Sequence, residues 1–142
     1  MKKISLLLLS LVLFSCVVSK SKGINKPLFE VITQQPDGGG NIHFFEIVST
    51  SQEFRMLQGD DKLKGKINPN DINESNFLIL NMGEKLVKGC TIDIEDVQET
   101  EKSIIISIKE NEPKANIDNT SAEYVYPYSI VKINSKKEII LK

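Results

Sequence analysis

The stretch "CTIDIEDVQETEKSIIISIK", residues 90–109, alternates apolar and polar side chains on both sides of a short charged interruption. Alternation at period two puts Cys90, Ile92 and Ile94 on one face of an extended segment and Thr91, Asp93 and Glu95 on the other. After the hairpin-sized "ETEK", Ile104, Ile106 and Ile108 repeat the pattern. Two amphipathic strands cannot bury their apolar faces alone, so the rest of the chain has to supply a second layer.

Upstream, "FLILNM" (77–82) is apolar enough for a central strand, and "GEKLVKG" links it to Cys90 by a turn. "LFEVIT" (28–33) and "IHFFEIVS" (42–49) are further strands, separated by the loop signal "QQPDGGGN". "TSQEFRML" (50–57) has the spacing of a capping box, Thr50 with Glu53, and predicts a short helix that ends near Gly59. Its Phe54 and Leu57 share a face and are expected to pack onto the sheet. Residues 60–76 read as a charged loop interrupted by Pro69. Downstream, the polar loop "NEPKANIDNTSA" leads to the strands "YVYPYSIVKI" (124–133) and "EIILK" (138–142). The expectation is a mainly β domain, an antiparallel β-sandwich or barrel of about seven strands with one short α-helix.

The chain has 142 residues, 40% hydrophobic and 26% charged, which suits a single domain. A formal net charge of −1 gives no electrostatic case for a nucleic-acid partner.

The N-terminus "MKKISLLLLSLVLFSC" joins Lys2 and Lys3 to an apolar run from Ile4 to Phe14, then Ser15 and Cys16. That run is far short of the ~20 residues of a spanning helix, so it reads as an export signal. "LFSC" resembles a bacterial lipobox, with Leu13, a small Ser15 and Cys16 as the lipidated residue; Phe14 is bulkier than usual there. An ordinary signal peptide with an incidental cysteine is the alternative. The chain thus divides into a lipoprotein signal peptide (1–15), a lipidated Cys16 with a flexible tether (16–27) and one β domain (28–142). The expected location is the bacterial cell envelope, on the outer membrane rather than the inner. No acidic pair follows Cys16 to mark surface export.

If Cys16 carries lipid, Cys90 is the one remaining thiol and an intramolecular disulfide framework is excluded. Catalysis by Cys90 would need His43, the single histidine, which alternation places on the side of Phe45. No third orienting residue or oxyanion pattern stands beside them, so Cys90 reads as a small buried residue. One cysteine and one histidine are too few for a zinc site, and no cofactor is implied. The acidic run 68–76 lacks the bend glycine and bidentate glutamate of a calcium loop and reads as turn chemistry. Tyr124, Tyr126 and Tyr128 fall at period two, and Pro127 suggests an edge strand. Those tyrosines are either a recognition surface or a core face with hydroxyls at the rim.

The order "FLILNMGEKLVKGCTIDIEDVQETEKSIIISIKENEP" followed by "YVYPYSIVKI" resembles the C-terminal domain family of PrcB, a lipoprotein subunit of a surface protease complex. Gly83, Gly89, Pro113, Pro127 and Tyr128 fall at matching places, and "VSTSQEFRML" is similar to the family's strand and short helix. The resemblance is best over residues 77–133. Lys88 stands where the family often has glycine, and Cys90 where it usually has tyrosine. A position normally aromatic is not a nucleophile's, so the resemblance implies a packing role for Cys90. It also implies a non-catalytic, lipid-anchored accessory protein that binds or stabilises a protein partner, with a protease complex as the model. The alternative is a β-sandwich protease inhibitor. The candidate partner-binding residues are Lys88, Gly89, Tyr124, Tyr126, Pro127 and Tyr128.

Overall fold

The structure is a computed structural model that describes residues 26–142. The segments read from the sequence as a signal peptide, a lipidated Cys16 and most of a tether lie outside the described residues. The described residues form nine strands: β1 (Phe29–Gln35), β2 (His43–Val48), β3 (Asn76–Met82), β4 (Lys85–Val87), β5 (Thr91–Glu99), β6 (Ser103–Asn111), β7 (Thr120–Val125), β8 (Tyr128–Ile133) and β9 (Glu138–Leu141). Helices α1 (Ser51–Gln58) and α2 (Asp71–Glu74) and a 3-10 turn at Asp61–Leu63 lie between β2 and β3.

A four-stranded antiparallel sheet in the order β1-β8-β3-β2 is the centre of the molecule. On one face, Leu78, Leu80 and Met82 of β3 and Val131 and Ile133 of β8 pack against Cys90, Ile92, Ile104 and Ile106 of the sheet β5-β6-β9. On the other face, Phe77, Tyr128 and Ile130 are covered by Phe54 and Leu57 of α1, Leu63 and Ile72. The Phe54 and Phe77 rings lie 4.8 Å apart. Apolar side chains at successive positions of β3 and β8 therefore find a core on either side, which is why "FLILNM" is central.

The mainly β class and the helix at 51–58 agree with the sequence, and three details differ. First, "YVYPYSIVKI" is not one strand. Pro127 lies between β7 and β8, and β8 is an inner strand of the central sheet. Pro127 has no N–H, so it ends one ladder and lets the chain change sheets. Second, β9 pairs parallel with β6 instead of returning beside its predecessor. Lys136 secures the crossover, its Nζ donating to the Ser49 carbonyl at 2.9 Å and to Asn76 Oδ1 at 2.9 Å. Third, the loop at 60–76 holds two helical turns, because Leu63 and Ile72 reach the second core. Its Asp71 is engaged by Lys132 at 3.0 Å and by the Asn68 N–H at 2.9 Å, as turn chemistry requires.

The opening strands carry one irregularity. The β5–β6 register shifts between Ile94 and Asp96, a bulge that re-phases the alternation so that Val97 joins Ile94 against the core. At the other end of the domain Asn134 clamps the entry to β1. Its Nδ2 donates to the Pro27 carbonyl and to Glu30 Oε1, each at 2.7 Å, and its N–H to the Leu28 carbonyl at 2.9 Å.

Thr50 closes α1 as its sequence anticipates: Thr50 Oγ1 accepts the Glu53 N–H, and Glu53 accepts the N–H groups of Ser49 and Thr50. Those bonds, Ser49's foremost, hold the Glu53 carboxyl below the usual glutamate range. Thr50→Ala is expected to lower unfolding stability by about 1 kcal/mol, read from urea denaturation at neutral pH. A depressed carboxyl contributes above its unfolded pKa and stops contributing as pH falls through the folded one, so the gap between wild type and Glu53→Gln should close in acid.

Candidate functional site

The glycines that punctuate "MGEKLVKG" have backbone reasons. Gly83 and Gly89 hold φ of 72° and 86°, the left-handed region that side chains avoid. Gly83 is also pressed against the preceding loop, where a Cβ would lie 2.9 Å from the His43 nitrogen. Between these glycines β4 pairs with β7, forming a two-stranded ribbon beside the sandwich. The Lys88 N–H donates to the Asn119 carbonyl at 2.7 Å, and Gly89 faces Pro113, so the turn leans on the loop 112–119.

A second junction lies where "PDGGGN" meets "VYPY". Asp37 Oδ1 accepts the Tyr126 N–H at 2.9 Å, Gly39 donates to the Tyr126 carbonyl at 2.9 Å, and Met82 to the Pro127 carbonyl at 3.0 Å. Asn81 is the hub. It is buried within β3, its Oδ1 accepts the Gly40 N–H, and its Nδ2 donates to the carbonyls of Gly40 and Ile42. Between this loop, α1 and the central sheet lies a cavity of about 270 Å³, lined chiefly by Gly38, Gly40, Phe44, Leu57, Tyr128 and Ile130.

The candidate residues separate into two places. Lys88 and Gly89 are exposed at the ribbon turn, and Tyr124 is 52% exposed on β7. Tyr126 is half-buried at the junction, whereas Pro127 and Tyr128 are buried. The three tyrosines do not share one face, because the break at Pro127 interrupts the period. Tyr128 belongs to the core, with Lys62 Nζ 5.4 Å from its ring centroid. The sequence reading includes β2 as a strand but passes over Asn81 and the exposure of β2 at the sheet edge. A single amide inside an apolar run was the available signal for Asn81, since a buried polar group must find partners.

Cys90 is 2% exposed in the main core, and its Sγ donates to the Val87 carbonyl at 3.0 Å. Burial raises its pKa, the Glu112 carboxylate adds to the rise, and Lys85 opposes it. The neighbouring cation is Lys85, ion-paired with Glu112 at 2.8 Å, and not Lys88. His43 is engaged elsewhere, its Nε2 2.6 Å from Glu110 Oε1 and its ring 5.0 Å from that of Phe45. The structure therefore does not form a Cys–His pair. Among the described residues no group of three or more His, Cys, Asp or Glu is arranged to hold a metal ion.

These features define a small β-sandwich scaffold with a glycine-built junction at one end and a ribbon at its side. The family model described as PrcB C-terminal matches residues 77–134, so this part of the chain, β3 to β8, is PrcB C-terminal-like. No curated protein and no solved structure matches the chain.

Two outcomes follow from the geometry. A thiol with a raised pKa stabilises the fold below its unfolded pKa, and that contribution fades as pH rises through the folded one. Native Cys90 should react with maleimide far more slowly than in denaturant, and Cys90→Ser should cost about 1–3 kcal/mol against a smaller loss for Cys90→Ala. At the junction, a Cβ on Gly39 would stand 2.2 Å from Asn81 Oδ1 and 2.9 Å from the Tyr126 carbonyl. Gly39→Ala and Asn81→Ala should each lower the unfolding stability read from urea denaturation, Asn81→Ala by about 1–3 kcal/mol.

Proposed function

We propose that this chain is a lipid-anchored, non-catalytic accessory protein of the bacterial cell envelope that binds and supports a protein partner, a protease complex being the model. Two things support the reading: the PrcB C-terminal match at 77–134, and an open sheet edge suited to assembly. The edge is the observation that carries it. β2 ends the central sheet, its pairing with β3 runs without a register shift, and Ile42, Phe44, Phe45 and Ile47 are all exposed. The opposite edge, β1, carries a bulge between Val31 and Thr33. Proteins ordinarily blunt free edges in that way, so a flat apolar edge fits a surface that is covered in use.

A second reading, protease inhibition, rests on Ile117. This residue is 98% exposed at the tip of the loop beside the Lys88–Gly89 turn. The tip is braced, since Asn116 Oδ1 accepts from Asp118 and Asn119 and Asn119 Oδ1 accepts from Asn116. A rigid loop presenting one apolar side chain is what insertion into a protease pocket would need.

The anchor has a direct test. Cells fed labelled palmitate should label the wild-type chain, whereas Cys16→Ser should accumulate as unlabelled precursor; labelling of the variant would end the lipoprotein reading. Crosslinking in intact cells then separates the two functions. An accessory subunit should be recovered with an active protease, and an inhibitor with an inactive one whose activity returns with Ile117→Asp.

A further inference from the structure

The edge strand β2 has a recess on each of its faces. Phe44 lines the cavity of about 270 Å³ beneath α1 and the glycine loop. Three residues on, Ile47 lines a cleft of about 420 Å³ between the two sheets, with Asn76, Lys136, Glu138 and Ile139. Successive side chains of an extended strand point to opposite faces, so Phe44 and Ile47 open onto opposite sides of one sheet edge.

The backbone is turned the right way. Met82 donates its N–H to Pro127 on the β8 side, so the Met82–His43 pair is one that exchanges no backbone bonds. By the same alternation, His43, Phe45 and Ile47 aim their N–H and C=O groups away from β3. Among the described residues no bond outside the strand ladders meets these groups. Glu46, the one carboxylate of β2, is exposed and has no ion-pair partner among the described residues.

The geometry points to strand addition: β2 accepts an extended segment of a partner protein, two of whose apolar side chains, an odd number of residues apart, enter the recesses on the two faces and whose lysine or arginine meets Glu46. Backbone bonds to His43, Phe45 and Ile47 supply affinity, and the recesses and Glu46 supply selectivity. A second copy of the chain fits less well, because β2 contains no lysine or arginine to offer Glu46. The inference rests on the accessory-binding reading and names the chemistry of its partner.

Random short peptides displayed on phage provide the probe, selected on the full-length chain in detergent micelles. Selected peptides should carry two apolar residues an odd number of positions apart and one lysine or arginine. Bound as synthetic peptides, they should slow amide exchange at His43, Phe45 and Ile47 by roughly tenfold or more. Selection repeated on Glu46→Lys should replace the basic residue by an acidic one. Peptides that protect the β4–β7 ribbon and leave β2 unchanged would overturn strand addition while sparing the accessory reading. Failure to select any peptide would overturn it too. So would β2 protection that rises with protein concentration alone, which would make the occupant a second copy.

Discussion

The fold depends on one constraint: β3 and β8 are buried on both faces and must be covered twice. Phe77 faces the helical layer while Leu78 faces the second sheet, and Ile130 and Val131 divide in the same way. Covering both sides is what requires α1 and the turns around Leu63 and Ile72 above, and β5-β6-β9 below. Side chains within a strand can alternate between two cores only if their register never slips, and the β3–β8 ladder runs from Asn76–Ile133 to Asn81–Tyr128 without a shift. The ion pair between Lys132 and Asp71 ties the upper layer to this ladder.

The two cores divide the chemistry as well as the packing. Cys90 lies in the lower core, where burial suppresses the thiolate, while His43 is held at the sheet edge by Glu110. Within the segment that matches PrcB C-terminal, three residues act as backbone devices. Gly83 and Gly89 supply left-handed turns, and Pro127 supplies a carbonyl for Met82 and the break between sheets. The exposed edge β2 lies outside the family-matched segment.

Local pattern made part of this legible. The capping box, the alternation of β5 and β6, the centrality of "FLILNM" and the burial of Cys90 all depend on neighbours within a few residues. What alternation could not show was its own interruption. The bulge at Glu95 and the break at Pro127 each shift the phase, and the second turned three period-two tyrosines into one exposed, one half-buried and one core residue. The parallel pairing of β9 and the hub role of Asn81 depend on contacts distant in sequence. Asn76 and Lys136 come together across the crossover, and Asn81 grips a loop that precedes its own strand by one strand and two helices. The open edge was illegible for the same reason, since strand order within a sheet is not written in any one strand.

The clamp at Asn134 has a mechanical consequence. Any pull on the chain before Lys26 reaches the domain at the start of β1, an edge strand whose ladder bonds go to β8. Edge strands loaded from one end peel, breaking ladder bonds one after another instead of sharing the force. Asn134 places three bonds, to Pro27, Leu28 and Glu30, at the point where such peeling would begin. The first rupture therefore has to break a group of bonds together, and Asn134 acts as a strain relief at the entry to a sheet that would otherwise unzip.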